Sequence, residues 1–230
     1  MVVFFDLDDT LVDSDGAHTK AISQIIKEYS LTGANDSEAI MQRWLDIKNK
    51  YLTLYFNNKI SLEQQRISRV TEFWTGLGLN IDEEQADIIY KQYHHIFLDS
   101  CKPFEDTIPL LKKLSSQVGK FKLGIITNGT SLDQIYKLEK NNLMSFFDFI
   151  VISEKVGVSK PSKEIFQIAA LMAGVQESDC VYIGNDYDLD YIGSLNAGMK
   201  AVWLDRNNST NIRQMNSPET ISTLLHISLL

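Results

Sequence analysis

Val2-Val3-Phe4-Phe5-Asp6-Leu7-Asp8-Asp9-Thr10 is the stretch on which the reading of this chain turns. Four β-branched and aromatic residues in a row have the character of a strand buried on both faces, as in the interior of a sheet. Side chains alternate along an extended chain, so Asp6 and Asp8 point one way while Leu7 turns into the core. The strand therefore delivers two carboxylates, close together, at its C-terminal end. Like charges at that separation are costly unless a cation lies between them or one carboxyl keeps its proton. The pair suits a hard, oxygen-ligated metal site or a nucleophile beside a general acid. The plainer alternative is an acidic turn with Thr10 as a helix N-cap.

Three further polar clusters follow apolar runs. Lys122-Leu123-Gly124-Ile125-Ile126 reads as a second buried strand running into Thr127-Asn128-Gly129. Phe147 to Ile152 is a third run, followed by a loop with Lys160-Pro161, and Val181-Tyr182-Ile183 is a fourth, ending in Gly184-Asn185-Asp186-Tyr187-Asp188-Leu189-Asp190. Past Pro103, helical and strand patterns alternate regularly, with helices over 107–116, 132–141 and 162–173, a last strand at 201–204 and a closing helix from Pro218. Such alternation predicts a parallel, doubly wound α/β sheet with right-handed crossovers. Open sheets of this kind bind ligands beyond the carboxyl ends of their strands, where all four clusters would converge.

Between the first motif and Pro103, some 85 residues carry no convincing strand. Ala17 to Tyr29 is one helical stretch; Ile40, Trp44, Ile47, Tyr51 and Tyr55 mark an apolar face on the next. Ser61-Leu62-Glu63-Gln64 forms a capping box leading into Val70, Phe73, Trp74 and Leu77. Gly76 and Gly78 break that helix, and Asp82 opens another with Ala86, Ile89, Tyr90, Tyr93 and Phe97 along one side. These stripes predict a small helical bundle, bracketed by the turn-prone Ser14-Asp15-Gly16 and by Pro103. The expected division is a core of residues 1–15 and 102–230 and a helical domain of residues 16–101, which by its position beside the first motif is a lid.

Asp6/Asp8/Thr10, Thr127, Lys160 and the segment from Gly184 to Asp190, in that order, resemble the haloacid dehalogenase superfamily in its phosphatase branch. The resemblance implies a Rossmann-like core with an inserted helical cap that selects the substrate. It also implies roles. Asp6 would be the nucleophile that forms an aspartyl-phosphate, and Asp8 the proton donor to the leaving oxygen and then the base for water. Dehalogenases of the superfamily lack this second aspartate, since a halide needs no proton. Thr127, with the Asn128 backbone amide, would hold the phosphoryl oxygens, and Lys160 would neutralise Asp6 and the transferred group. The N-cap and the solvated lysine are the bland alternatives for Thr127 and Lys160.

The implied cofactor is Mg²⁺, held by the Asp6 carboxylate, the Asp8 carbonyl and the Asp186 carboxylate, with Asn185 and Asp190 in support. Here the chain departs from the commonest family pattern, since Asn185 occupies the position after the glycine where that pattern has Asp. The neighbouring β-phosphoglucomutase-like branch has acidic residues at both positions and uses the second, which points to Asp186. Asp13-Ser14-x-x-x-His18 resembles a run in the same branch and makes His18 a substrate-binding candidate; an exposed histidine on the first cap helix is the alternative. The adjacent His94 and His95 diverge on a helix and make a poor metal site.

Composition sets limits. A net charge of -8 with no basic stripe argues against nucleic acid as a partner. Cys101 and Cys180 form no metal or redox motif and read as reduced, buried thiols. The first residues lack a basic n-region, and no apolar run is long enough for a bilayer, so a cytoplasmic protein, monomer or weak dimer, without a membrane partner is expected. The expected activity is Mg²⁺-dependent hydrolysis of a small phosphate monoester such as a nucleotide or sugar phosphate. The alternatives are a phosphosugar mutase and a non-catalytic regulator that binds a phosphorylated ligand.

Overall fold

The computed structural model describes residues 1–29, 37–57, 59–117, 119–206 and 220–227. The chain falls into two compact units, Met1–Asp13 with Lys102–Leu230, and Ser14–Cys101.

The first unit is built on a six-stranded sheet. Its strands are β1 (Val2–Phe5), β4 (Lys122–Thr127), β5 (Phe149–Ile152), β6 (Cys180–Gly184), β7 (Lys200–Leu204) and β8 (Thr220–Ile221), in the order β5-β4-β1-β6-β7-β8. All neighbouring pairs run parallel, with Phe5 opposite Ile125 on one side and Ile183 on the other. β1 is thus central, and all four of its residues are buried. Val2 and Phe4 face one side, where Ile126, Val151, Tyr182 and the helix α8 (Lys163–Ala173) complete a core layer; Val3 and Phe5 alternate to the other side. Gly124 has a packing reason, since a Cβ there would lie 2.4 Å from the Phe4 ring. Successive strands are joined through α5 (Thr107–Ser115), α6 (Ser131–Lys140), the short α7 (Ser153–Val156), α8 and α9 (Gly193–Asn196). The chain leaves this unit after Asp13 and re-enters at Lys102. The two crossing segments, β2 (Val12–Asp13) and β3 (Lys102–Pro103), pair antiparallel.

The second unit consists of α1 (Ser14–Glu28), α2 (Ser37–Phe56), α3 (Leu62–Gly76) and α4 (Glu83–Ser100). The expected capping boxes form at Ser61/Gln64 and Asp82/Gln85, each side chain bonding the other's backbone amide. α1 packs on α4 and α2, and α3 on α2 and α4. The centre is aromatic: Trp44 meets Phe73 at 5.1 Å and Tyr93 at 4.7 Å, both edge to face.

Two expectations fail locally. Ser14-Asp15-Gly16 is not a turn but the first turn of α1. Asp15 there complements the helix N-terminus and pairs with Lys48 at 2.8 Å, which offsets the low propensity of these residues. The closing helix does not form over the residues described after Pro218. Thr220–Ile221 pairs with β7, and Leu224–His226, which includes His226, is a single 3₁₀ turn. Pro218 itself lies outside the described residues. β-branched Thr220 and Ile221 extend the sheet edge at low cost, and that option wins over the helical one.

Candidate active site

The Asp6 backbone continues β1, donating its N–H to Ile183 O at 2.9 Å, so the Asp6 side chain leaves the sheet where the strand ends. A tight loop follows. Leu7 stays buried, the N–H groups of Leu11 and Val12 both bond Leu7 O, and Asp9 adopts φ 57°, a left-handed conformation that aspartate tolerates. This fixes Asp6 and Asp8 on one side of the loop.

Lys160 is the centre of the charge network. It is buried, and its Nζ lies 2.7 Å from Asp6 Oδ1, 2.7 Å from Asp190 Oδ1 and 3.0 Å from Tyr182 OH. The Tyr182 hydroxyl in turn lies 2.9 Å from Ile126 O and 3.1 Å from Asp190. Burial pushes the Asp6 carboxyl up to about 7, with Lys160 pulling against it and Asp190 adding to it. Burial alone would lower the Lys160 pKa, but the attraction of Asp190 and Asp6 outweighs it and holds the ammonium charged. The backbone of Lys160 is clamped by Asn128, whose side chain accepts from Lys160 N at 2.9 Å and donates to Lys160 O at 3.1 Å. Asn128 therefore positions the lysine through its side chain, a role not visible in its place after Thr127.

Thr127, the last residue of β4, is buried, and its Oγ1 has no hydrogen-bond partner among the described residues. An N-cap would have used that hydroxyl. The cap of α6 is instead Thr130, which accepts from Asp133 N. A buried hydroxyl left without a partner is unusual and calls for an explanation.

After β6 the acidic segment divides its labour. Asp190 is fully buried and bonds Asp186 N at 3.0 Å with its second oxygen, which commits it to the lysine and the loop. A Cβ on Gly184 would fall 2.4 Å from that carboxyl, so only glycine admits it. Asp186 caps a π-type turn, Tyr187–Ile192, with Oδ1 accepting from Asp188 N at 2.9 Å and Leu189 N at 2.8 Å. Its other oxygen makes no hydrogen bond among the described residues. Burial raises its pKa, which the amides of the turn partly counter. Asn185 Oδ1 accepts from the buried Thr10 hydroxyl at 3.0 Å, and Trp203 Nε1 holds Asn185 O at 2.9 Å. Thr10 is thus not a helix cap but a tie between the first and last motifs.

The network also includes residues that the sequence did not single out. Lys137 Nζ bonds Asp8 Oδ1 at 2.7 Å and Gln134 Nε2 bonds Asp8 Oδ2 at 3.0 Å, so α6 grips both oxygens of that carboxylate. Gln134 also bonds Asn128 O at 3.1 Å, and it occupies the space a Cβ on Gly129 (φ 151°) would need. His18 lies in the helical unit, its Nδ1 hydrogen-bonded to Tyr93 OH and its ring stacked on Phe97 at 3.9 Å.

A family model for haloacid dehalogenase-like hydrolases matches residues 3–204. The chain belongs to this family. It is an enzyme, a hydrolase, and its motifs are those of the family's phosphatase branch. The pyrimidine 5'-nucleotidase YjjG of Escherichia coli is 30% identical over 99% of this chain and 93% of its own length. The human N-acylneuraminate-9-phosphatase is 28% identical, covering 99% and 92%. Among solved structures, the HAD-hydrolase YfnB from Bacillus subtilis, described as bound to magnesium with interdomain movement, superposes with a TM-score of 0.81. It is 22% identical, over 97% of this chain and 95% of that one, which supports the haloacid dehalogenase fold. Among the described residues no helix is long and apolar enough to cross a membrane.

Three signals could have found missed members of this hydrolase's network, and one member carries none. Gln134 and Lys137 are polar residues on the same α6 face as the buried Leu138. Tyr182 is a hydroxyl inside an apolar strand, and Arg206 a cation just after β7. Asp106 stands at the N-terminus of α5, where a carboxylate is ordinary.

Proposed function

We propose that this phosphoric monoester hydrolase acts on a small phosphorylated metabolite through an aspartyl-phosphate on Asp6 and depends on Mg²⁺. The observation that carries the reading is the convergence of Asp6, Asp8, Thr127, Lys160 and Asp186 beyond the strand ends, with Thr127 Oγ1 buried and unpartnered.

In the first step an Asp6 oxygen bonds phosphorus and the bond from phosphorus to the ester oxygen breaks. Asp8 gives its proton to the departing alcohol. In the second, Asp8 takes a proton from water, the water oxygen bonds phosphorus, and Asp6 is regenerated as inorganic phosphate leaves. Lys137 and Gln134 hold the Asp8 carboxyl in place for both transfers. Thr127 donates to a phosphoryl oxygen, and Lys160 balances the charge on Asp6 and the transferred group.

The residues fit a divalent cation. Asp8 pairs with Lys137, and Asp6 and Asp190 share Lys160, so the carboxylates outnumber these lysines, and a phosphate monoester adds up to about two negative charges. Asp190 is committed to Lys160 and Asn185 to Thr10, which leaves Asp6, the Asp8 carbonyl and the uncommitted oxygen of Asp186 as donors. Among the described residues no group of three or more His, Cys, Asp or Glu is arranged as a metal site by itself. Mg²⁺ is suited to so sparse a set, since it keeps waters and takes substrate oxygens as ligands. When bound it would supply charge neutralisation between Asp6 and the phosphoryl group.

We favour hydrolysis over a phosphosugar mutase because His18, on which the mutase reading leans, has its Nδ1 engaged by Tyr93. A pure binding protein would need no proton donor at Asp8. Cys101 and Cys180 are buried and unbridged, in keeping with a reducing cytoplasm. We take the helical unit, Ser14–Cys101, to be the cap that chooses the substrate.

The test is phosphate release from p-nitrophenyl phosphate and a metabolite panel, with Mg²⁺ and with EDTA. Activity should be lost with EDTA and return with Mg²⁺. Asp186→Ala should raise the Mg²⁺ requirement more than Asn185→Ala does; the reverse order would move the metal ligand to Asn185.

A further inference from the structure

The strand β6 is buried throughout, yet its central residue, Tyr182, carries a hydroxyl. The ring fits an apolar layer. It meets Phe166 edge to face at 5.1 Å and shares its side of the sheet with Phe4 and Ile126. Phenylalanine would fill that place with no polar atom to satisfy, so the oxygen calls for its own account. Tyr182 stands opposite Phe4 of β1, and its hydroxyl reaches past that strand to Ile126 O in β4, at 2.9 Å, one residue before Thr127. β4 and β6 flank β1 on opposite sides, so this bond links two strands that the sheet keeps apart, across the one that ends in Asp6.

The phenol also fixes the lysine. An ammonium has three N–H groups, and Lys160 Nζ has three acceptors at bonding distance: Asp6 Oδ1 at 2.7 Å, Asp190 Oδ1 at 2.7 Å and the Tyr182 oxygen at 3.0 Å. Burial, with the charges of Asp190 and Asp6, pushes the phenol well above its usual range, so it faces the lysine protonated. Its single proton goes to Ile126 O at 2.9 Å or to Asp190 Oδ1 at 3.1 Å, and both of those only accept. Toward Lys160 the oxygen is therefore an acceptor, and each of the three N–H groups has one place to point. Two acceptors would leave the ammonium free to swing on its flexible stem; a third, on a rigid ring, ends that freedom. The third contact matters most once Asp6 bonds phosphorus. The carboxylate then gives up its charge and its hold on Lys160 weakens, while Asp190 and Tyr182 keep the ammonium beside the transferred group.

We infer that Tyr182 is a positioning residue for phosphoryl transfer, acting through Lys160 by accepting its third N–H. The inference rests on the phosphatase reading above and adds to it a residue one contact removed from the reacting atoms.

The test variant is Tyr182→Phe, which keeps the ring against Phe166 and removes only the hydroxyl. Kinetics with p-nitrophenyl phosphate are combined with inhibition by two anions. Orthovanadate takes the trigonal-bipyramidal shape of the group in transfer; inorganic phosphate stays tetrahedral. kcat/KM should fall roughly tenfold, the weight of one hydrogen bond to a charged group. The vanadate inhibition constant should rise by about the same factor and the phosphate constant by much less, since positioning acts on the transition state more than on a bound anion. A purely structural tie predicts a lower melting temperature and a smaller active fraction, which reduce the rate but leave the ratio of the two inhibition constants as in the wild type. An unchanged ratio overturns the proposal, as does an unchanged kcat/KM or a Tyr182→Phe protein that does not fold. Should the wild type hydrolyse no phosphoester, the phosphatase reading falls separately. Calorimetric titration with orthovanadate and Mg²⁺ then decides the role of Tyr182. Binding weakened about tenfold in Tyr182→Phe supports it, and equal binding in both proteins, or none in either, rejects it.

Discussion

The two units of this chain handle deeply buried cations differently, Lys160 by ion pairs and Arg69 by ring faces. In the core, Lys160 touches two carboxylates and a phenol, Lys137 holds Asp8, and Asp190 is shared between a lysine and a backbone amide. In the helical unit, Arg69 Nε and Gln65 Nε2 are buried with no partner among the described residues, and the Arg69 guanidinium lies over the Trp44 ring at 5.2 Å. A site whose charges are already paired is organised before a ligand arrives, and its chemistry is the same for every substrate. Donors without partners carry a standing cost in the folded protein. The difference teaches that the core network is held by ion pairs, while the buried guanidinium of the helical unit rests on ring faces.

The largest break in the comparison comes from Asp6→Asn. The amide is a poor nucleophile and alters the pairing with Lys160, so turnover should fall by several orders of magnitude for every substrate alike. Steady-state rates across the panel check this, together with the absence of an acid-stable phosphoenzyme. Substantial Mg²⁺-dependent activity in a clean preparation would remove the covalent mechanism.

A smaller effect, selective in another way, is expected from Lys137→Ala. Both oxygens of Asp8 are held from α6, so losing the ammonium frees the carboxyl to wander from the leaving oxygen. General acid catalysis contributes roughly 10²–10⁴ in rate, and a misplaced acid forfeits part of that. kcat/KM reports the steps through alcohol departure. It should fall roughly ten- to a hundredfold for alkyl esters and much less for p-nitrophenyl phosphate, whose leaving group needs no proton. Lys137→Arg should recover most of the loss. Equal losses on both ester types would show that Lys137 supports the fold rather than the proton donor.

Much of the core was legible because its logic is local. A fully apolar strand that ends in charge announces both its burial and its open end, and this held for the strands before Asp6, Thr127 and Asn185. The capping boxes at Ser61 and Asp82 were legible for the same reason, since each is complete within four residues. What escaped was long-range. Asp8 meets Lys137 across 129 positions and Arg206 meets Asp106 across 100, and no periodicity records such pairings. Arg69 was visible only as a charge on an amphipathic helix; its burial depends on how α2 and α4 pack around α3. Ser14-Asp15-Gly16 misled because weak local propensity yielded to a tertiary contact with Lys48.

The least effect on chemistry and the clearest on stability should come from Arg206→Ala. The Arg206 guanidinium forks onto Asp106 at 2.9 Å and 2.9 Å and also donates to Thr10 O at 2.7 Å. Asp106 further accepts from Thr223 Oγ1 at 2.6 Å and Leu224 N at 2.9 Å, so the Arg206–Asp106 pair joins the loop after β1, the start of α5 and the C-terminal segment. Breaking a pair this enclosed typically costs about 3 kcal/mol, enough to move the melting temperature by several degrees. Burial alone would raise the Asp106 pKa, but the bonds from Arg206, Thr223 and Leu224 outweigh it and hold it below the ordinary carboxylate range. A folded pKa below the unfolded one stabilises above the unfolded value and loses that contribution as pH falls through the folded one. The melting gap between wild type and Arg206→Ala should therefore be full at neutral pH and close as the pH drops below roughly 4. Activity at moderate temperature should fall less than about tenfold, since Arg206 reaches a loop carbonyl and not the reacting atoms. A hundredfold loss with an unchanged melting temperature would place Arg206 in the chemistry and blur the division between paired scaffold and reactive centre.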